Sequence, residues 1–142
     1  MYVDRQGMID RYGETKLVQL TDRATPRTGG IVDAVLDKAL ADAAAAIHGY
    51  ARSAGYAVPF TATPDMVAGW QACIALYLLY RDEAPKKVKE DSDTALAQLK
   101  DLAAGRITLQ AVGVEAPAPA EGAAVLFDAP PRIMTGNALK VF

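Results

Sequence analysis

At 142 residues, 51% of them hydrophobic and 23% charged, the chain is long enough for one globular domain with appendages and can bury a useful core. A formal net charge of −2 removes the overall basic field that would argue for nucleic-acid binding. One cysteine, Cys73, excludes an intramolecular disulfide, and one histidine, His48, excludes a histidine pair for a metal.

The opening Met1-Tyr2-Val3-Asp4-Arg5 lacks the basic-then-apolar pattern of a secretory signal, so assembly in a cytoplasm is expected. Residues 4–12 read as a short helix. Asp4 can cap it, Met8, Ile9 and Tyr12 fall at helical spacing, and Gly13 stops it. Residues 14–20 read as a second short turn, with Leu17, Val18 and Leu20 facing inward. Residues 21–30 form a loop, broken by Asp22, Pro26, Gly29 and Gly30, that carries Arg23 and Arg27. Within it, Thr28-Gly29-Gly30 lacks the Lys-Ser/Thr and the preceding strand of a phosphate loop, so it is a turn.

The longest helix is expected over 33–54. Val32, Leu36, Leu40, Ala43, Ile47 and Tyr50 make one continuous face, and Asp33, Asp37, Lys38, Asp42 and Arg52 take the other. The run Ala43–Ala46 has high helix propensity and little bulk, which lets a neighbouring helix come close. Gly55 ends this helix, and 56–63 is an extended connector steered by Pro59.

The stretch 64–81 is the centre of the expected fold. Thr63 can cap it and Pro64 suits its first position. Beyond Ala68 nearly every side chain is apolar or aromatic, so other helices must surround it. It falls short of the roughly 20 apolar residues of a membrane span. Trp70, Tyr77 and Tyr80 read as core packing rather than a ligand pocket. After a short link at 82–84, Pro85 opens a last helix that runs to Ala104 and stops at Gly105. Its first half is nearly all charged and should project outward. Its second half, with Ala95, Leu96, Leu99, Leu102 and Ala103, should pack on the core.

Residues 106–114 alternate weakly, with Ile107, Leu109 and Val112 against Arg106, Thr108 and Gln110, a pattern of a short strand or extended arm. The Ala/Pro-rich 115–124 cannot build a core. Hydrophobicity then returns at Val125-Leu126-Phe127, Ile133-Met134, Leu139, Val141 and Phe142. A linker followed by an adhesive end reads as a docking arm. The division is therefore a helical domain over 1–110 and a linker with arm over 111–142, and the fold class is all-α: a small bundle around the 64–81 helix with an extended C-terminal arm.

No catalytic constellation is visible, so neither enzyme activity nor a cofactor or metal is expected. His48 reads as structural. Cys73 has no neighbouring cation in sequence and reads as inert. Asp33, Asp37, Glu90, Asp91 and Asp93 lie on solvated faces, where general acid–base chemistry has no purchase.

Several strings taken together resemble the Mu-like phage neck protein family. They are Met1-Tyr2-Val3, Met8-Ile9-Asp10-Arg11-Tyr12-Gly13-Glu14, Leu17-Val18-Gln19-Leu20-Thr21-Asp22-Arg23, Ala39-Leu40-Ala41-Asp42-Ala43, Ile47-His48-Gly49-Tyr50, Tyr56, Pro59, Ile74-Ala75-Leu76-Tyr77-Leu78-Leu79-Tyr80 and Leu99-Lys100-Asp101-Leu102-Ala103-Ala104-Gly105. The resemblance covers residues 1 to about 110 and part of the tail. It implies a helical head–tail connector, or adaptor, in the virion neck, without catalytic residues. Such proteins form a ring, commonly dodecameric, beneath the portal, continue the DNA channel towards a tail-side connector or terminator protein, and place a C-terminal arm on the portal. On that expectation Arg132, Ile133, Met134, Leu139, Val141 and Phe142 contact the portal or a neighbouring subunit. Arg23, Arg27, Lys86, Lys87 and Lys89 are candidate channel or subunit-interface charges. DNA would pass without sequence-specific binding, and no membrane is involved. The alternative is a non-catalytic helical protein-binding module whose C-terminal segment is a switch peptide.

Overall fold

A computed structural model describes residues 1–110 together with 113, 114 and 117. Its five helices are α1 (Arg5–Tyr12), α2 (Glu14–Thr21), α3 (Asp33–Ser53), α4 (Asp65–Leu79) and α5 (Lys86–Ala103). The expected all-helical bundle is present, and α4 packs against both α3 and α5, which also touch each other.

Local chemistry explains most boundaries. The Asp4 carboxylate accepts the Gly7 amide at 2.8 Å, satisfying one of the unbonded donors at the start of α1. Gly13 separates α1 from α2, and Gly105 follows the end of α5. The start of α4 differs from expectation. Pro64 is its N-cap rather than its first residue, and no side chain caps it. The helix stops at Leu79, before Arg81. Tyr80 is already extended at ψ 127°, and the Arg23 guanidinium donates to the Leu79 carbonyl at 2.8 Å, taking up an acceptor that α4 leaves open.

The core follows from three apolar faces. On α3, Leu36, Leu40, Ala43 and Ile47 are fully buried, as their spacing predicts, whereas Tyr50 is half-buried. Ala43 and Ala44 lie inside and Ala45 outside, so only part of the alanine run meets a neighbour. On α4, Val67, Ala72, Ala75 and Leu79 are buried. On α5, Val88, Ser92, Ala95, Leu99 and Leu102 recur at alternating steps of four and three, a seam along the whole helix. The charged first half therefore does not project freely. Val88 and Ser92 seat it on the core, and its lysines and acids occupy the opposite face.

Two expectations about α4 need correction. It is not covered on all sides: Tyr77 is 38% and Leu78 43% exposed. Trp70 is buried and Tyr80 half-buried, so the aromatic stripe is core only in part. The reason is geometric. α3 and α5 cover two sides of the helix, and the short α1 reaches only its middle, where the Tyr12 hydroxyl donates to Cys73 Sγ at 3.8 Å.

Residues 106–110 alternate in burial as predicted, with Leu109 inside and Arg106, Thr108 and Gln110 outside, but no strand forms over them. Val112 and the arm residues Arg132, Ile133, Met134, Leu139, Val141 and Phe142 lie outside the described residues.

Candidate functional site

Three places on the bundle are built with specific chemistry.

The first is a polar node inside the apolar helix. Gln71 has no exposed surface. Its Oε1 accepts the amides of Tyr2 and Val3, each at 2.8 Å, and its Nε2 donates to the Leu40 carbonyl at 2.9 Å. One side chain thus ties the N-terminal segment and α3 to α4. Buried amides are tolerated only when bonded in this way. Sequence reasoning passed over Gln71, although a lone glutamine in an apolar helix was the available signal.

The second is a corner at the end of α3. The Tyr2 hydroxyl lies 2.6 Å from His48 Nε2 and accepts the Phe60 amide at 3.2 Å. The Tyr2 hydroxyl and the His48 ring nitrogen thus share one hydrogen bond while the same oxygen also accepts the Phe60 amide. Burial, then Arg52 and the N-terminal amine, pushes the His48 pKa below its ordinary value. The rings of Tyr2 and Tyr56 both pack on Phe60 at centroid separations of 5.6 and 6.2 Å.

The root of the tail sits on the same corner. The Tyr56 hydroxyl accepts the Leu109 amide at 3.0 Å, and Thr61 Oγ1 donates to the Gly113 carbonyl at 3.0 Å. Gly113 has φ +82°, and a Cβ there would stand 2.9 Å from Thr61 Oγ1. Gly55 has φ +85°, and a Cβ there would stand 2.9 Å from Pro117 Cβ. Both positions require glycine for backbone conformation and for close approach. His48, half-buried beside this corner, is hydrogen-bonded to Tyr2.

The third is the open end of α4. Leu78 and Leu79 face Ala34, Val35 and Ala39 of α3 across a shallow groove of about 350 Å³, with Arg23, Lys38 and Asp42 also lining it. On the other side Tyr77 borders a depression with Asp82, Glu83, Lys86 and Lys89. The candidate charges divide here. Arg23 is exposed, but its guanidinium donates to the carbonyls of Leu20 and Leu79 and so fixes the ends of α2 and α4. Arg27 lies exposed in the loop. Lys86 and Lys87 pair along α5 with Glu90 at 3.6 Å and Asp91 at 3.5 Å. Such exposed pairs are worth roughly 0.3–0.5 kcal/mol each. They leave this end of mixed charge rather than a basic patch.

Two further groups are held by their surroundings. The Gly29 amide, donating to Asp22 Oδ2 at 2.8 Å, holds that carboxyl below the usual range against the opposing effect of burial. Burial, and after it Cys73, pushes the Tyr12 hydroxyl up. Cys73 is half-buried rather than sealed in the core. Among the described residues, no three His, Cys, Asp or Glu side chains are grouped to hold a metal ion, and no helix is long and apolar enough to cross a membrane.

The chain matches the family described as "Bacteriophage Mu, Gp36" over residues 2–127. Among curated proteins it is similar to the "Mu-like prophage FluMu protein gp36" of Haemophilus influenzae, strain Rd. The two are 27% identical over 109 residues, which is 77% of this chain and 75% of the relative.

Proposed function

We propose a role from one premise: the chain belongs to the bacteriophage Mu Gp36 family. It is a phage or prophage protein. Within that class we assign it to the neck of the virion, as a non-catalytic head–tail connector. Copies of the bundle form a ring against the portal protein, continue the DNA channel towards a tail-side connector or terminator protein, and let DNA pass without reading its sequence. The segment 125–142, with Arg132, Ile133, Met134, Leu139, Val141 and Phe142, engages the portal or a neighbouring copy.

The observation that carries this reading is the tail root. Tyr56 and Thr61 hydrogen-bond residues 109 and 113 at one corner of the bundle, where Pro117 also comes close to Gly55. The sequence beyond residue 117, which ends in apolar residues, therefore continues from a fixed point on the domain. That is the device a ring subunit needs to lock onto the next layer, because a ring closes only if each contact is made in one orientation. The resemblance set out in the sequence supplies the remainder. The near-neutral charge fits a channel wall, since each phosphate contact would add salt-dependent affinity and slow the passage of DNA.

Truncation after Gly113 tests the proposal in the phage that encodes the protein. Heads and tails should both form but fail to join, with free tails accumulating in gradients. Normal joining by the truncated protein would discard the connector role of the arm.

A further inference from the structure

Residues 57–63, which join α3 to α4, have few holds of their own. Among the described residues they make two hydrogen bonds. The Phe60 amide donates to the Tyr2 hydroxyl at 3.2 Å, and Thr61 Oγ1 donates to the Gly113 carbonyl at 3.0 Å. One bond leads to the start of the chain and the other to the tail root, so the connector is held between segments from opposite ends of the described sequence.

Residues 1–3 are themselves firmly fastened. The amides of Tyr2 and Val3 donate to the buried Gln71, Val3 is buried, and the Tyr2 hydroxyl lies 2.6 Å from His48 Nε2. From there a line of rings crosses the corner. Tyr2 packs on Phe60 and Phe60 on Tyr56, both of the latter buried. Tyr56 makes the last step, because its hydroxyl accepts the amide of the buried Leu109. Phe60 sits in the middle, bonded through its amide and packed through its ring on the same residue, Tyr2. No member of such a line shifts alone: each ring is placed by its neighbour, and each hydroxyl fixes a backbone amide.

We propose that residues 1–3 are a strap that sets the position of the tail root through the Tyr2–Phe60–Tyr56 stack, so that unfastening the strap loosens Leu109 and Gly113. Coupling of this kind is reciprocal. A partner that takes up residues 1–3 frees the root, and one that draws on the tail loosens the strap. The device belongs to the free protein and does not depend on the connector reading.

Amide hydrogen exchange, read residue by residue in the full-length protein, tests this. Tyr2→Phe keeps the ring and removes the hydroxyl. The Leu109 amide should then exchange at least about fivefold faster, the low end of coupling between sites. Leu99 and Leu102 of the α5 seam should stay within about twofold, since they open with the bundle rather than with the corner. An unchanged Leu109, or an equal acceleration in α5, would overturn the proposal. Phe60→Leu leaves the Tyr2 and Tyr56 hydroxyls in place and removes the ring between them. It should accelerate Leu109 alike, and protection retained there would overturn the proposal even if Tyr2→Phe did not fold. The reverse direction is read with Tyr56→Phe, which should accelerate the Val3 amide as well as Leu109. Acceleration confined to Leu109 would mean a root held on its own, without a strap. None of these readouts requires heads, tails or portal, so failure here is separate from failure of the connector role.

Discussion

The middle and the end of α4 have nearly the same composition and opposite fates. From Val67 to Leu76 the helix is largely wrapped, and its buried amide, Gln71, makes three hydrogen bonds. The next two residues, Tyr77 and Leu78, face solvent, while Leu79 after them is only 1% exposed. Apolar character states only that a surface should leave water. Whether it leaves into a core or onto a partner is decided by which elements are long enough to cover it.

Adjacent leucines give the sharpest way to break this comparison. Leu79→Ala should destabilise the bundle by about 2–5 kcal/mol, since it removes buried methyl groups and leaves a cavity. Leu78→Ala should stay within about 0.5 kcal/mol in the same urea titration. A loss at Leu78 comparable to that at Leu79 would mean the open end is core after all. A smaller effect is expected at the polar node. Gln71→Ala strips the Tyr2 and Val3 amides and the Leu40 carbonyl of their partner, which should cost about 1–3 kcal/mol. It should also raise the amide exchange of residues 2–3 more than that of α5, because the N-terminal segment loses its tie while the α4–α5 seam remains.

The smallest effect concerns pH. Burial lowers the His48 pKa in the folded chain, so between that value and about 6.5 the unfolded chain binds more protons than the folded one. Stability from this group is full above pH 6.5 and falls as pH drops through that window, then levels off. His48→Gln should flatten that part of the stability-against-pH curve. A curve that keeps its slope would place the effect elsewhere. The Asp22 carboxyl, held low by the Gly29 amide, contributes separately and at more acid pH: its stabilisation is lost as pH falls below the ordinary carboxylate range.

Much of this arrangement was legible in one dimension because it rests on local rules. The Asp4 cap, the breaks at Gly13, Gly55 and Gly105, and the seven-residue recurrence of Leu36, Ala43 and Tyr50 are matters of spacing and backbone preference. The cap at Pro64 was misplaced by one residue because proline suits both the first helical position and the residue before it. The outward projection of early α5 was misjudged for a different reason. Val88 and Ser92 are sparse among charges, yet a four-three recurrence needs only one seated residue per turn.

What the chain determined by itself is most of the helices and their buried faces, since these follow from propensity and periodicity within a few residues. What only the tertiary structure decided is long-range. Gln71 reaches residues 2 and 3, Arg23 closes the end of α4, Tyr2 meets His48 and Phe60, and the tail begins on the corner formed by Gly55, Tyr56 and Thr61. Each joins residues far apart in sequence, and a polar side chain does not announce its partner until packing brings the two within hydrogen-bond reach.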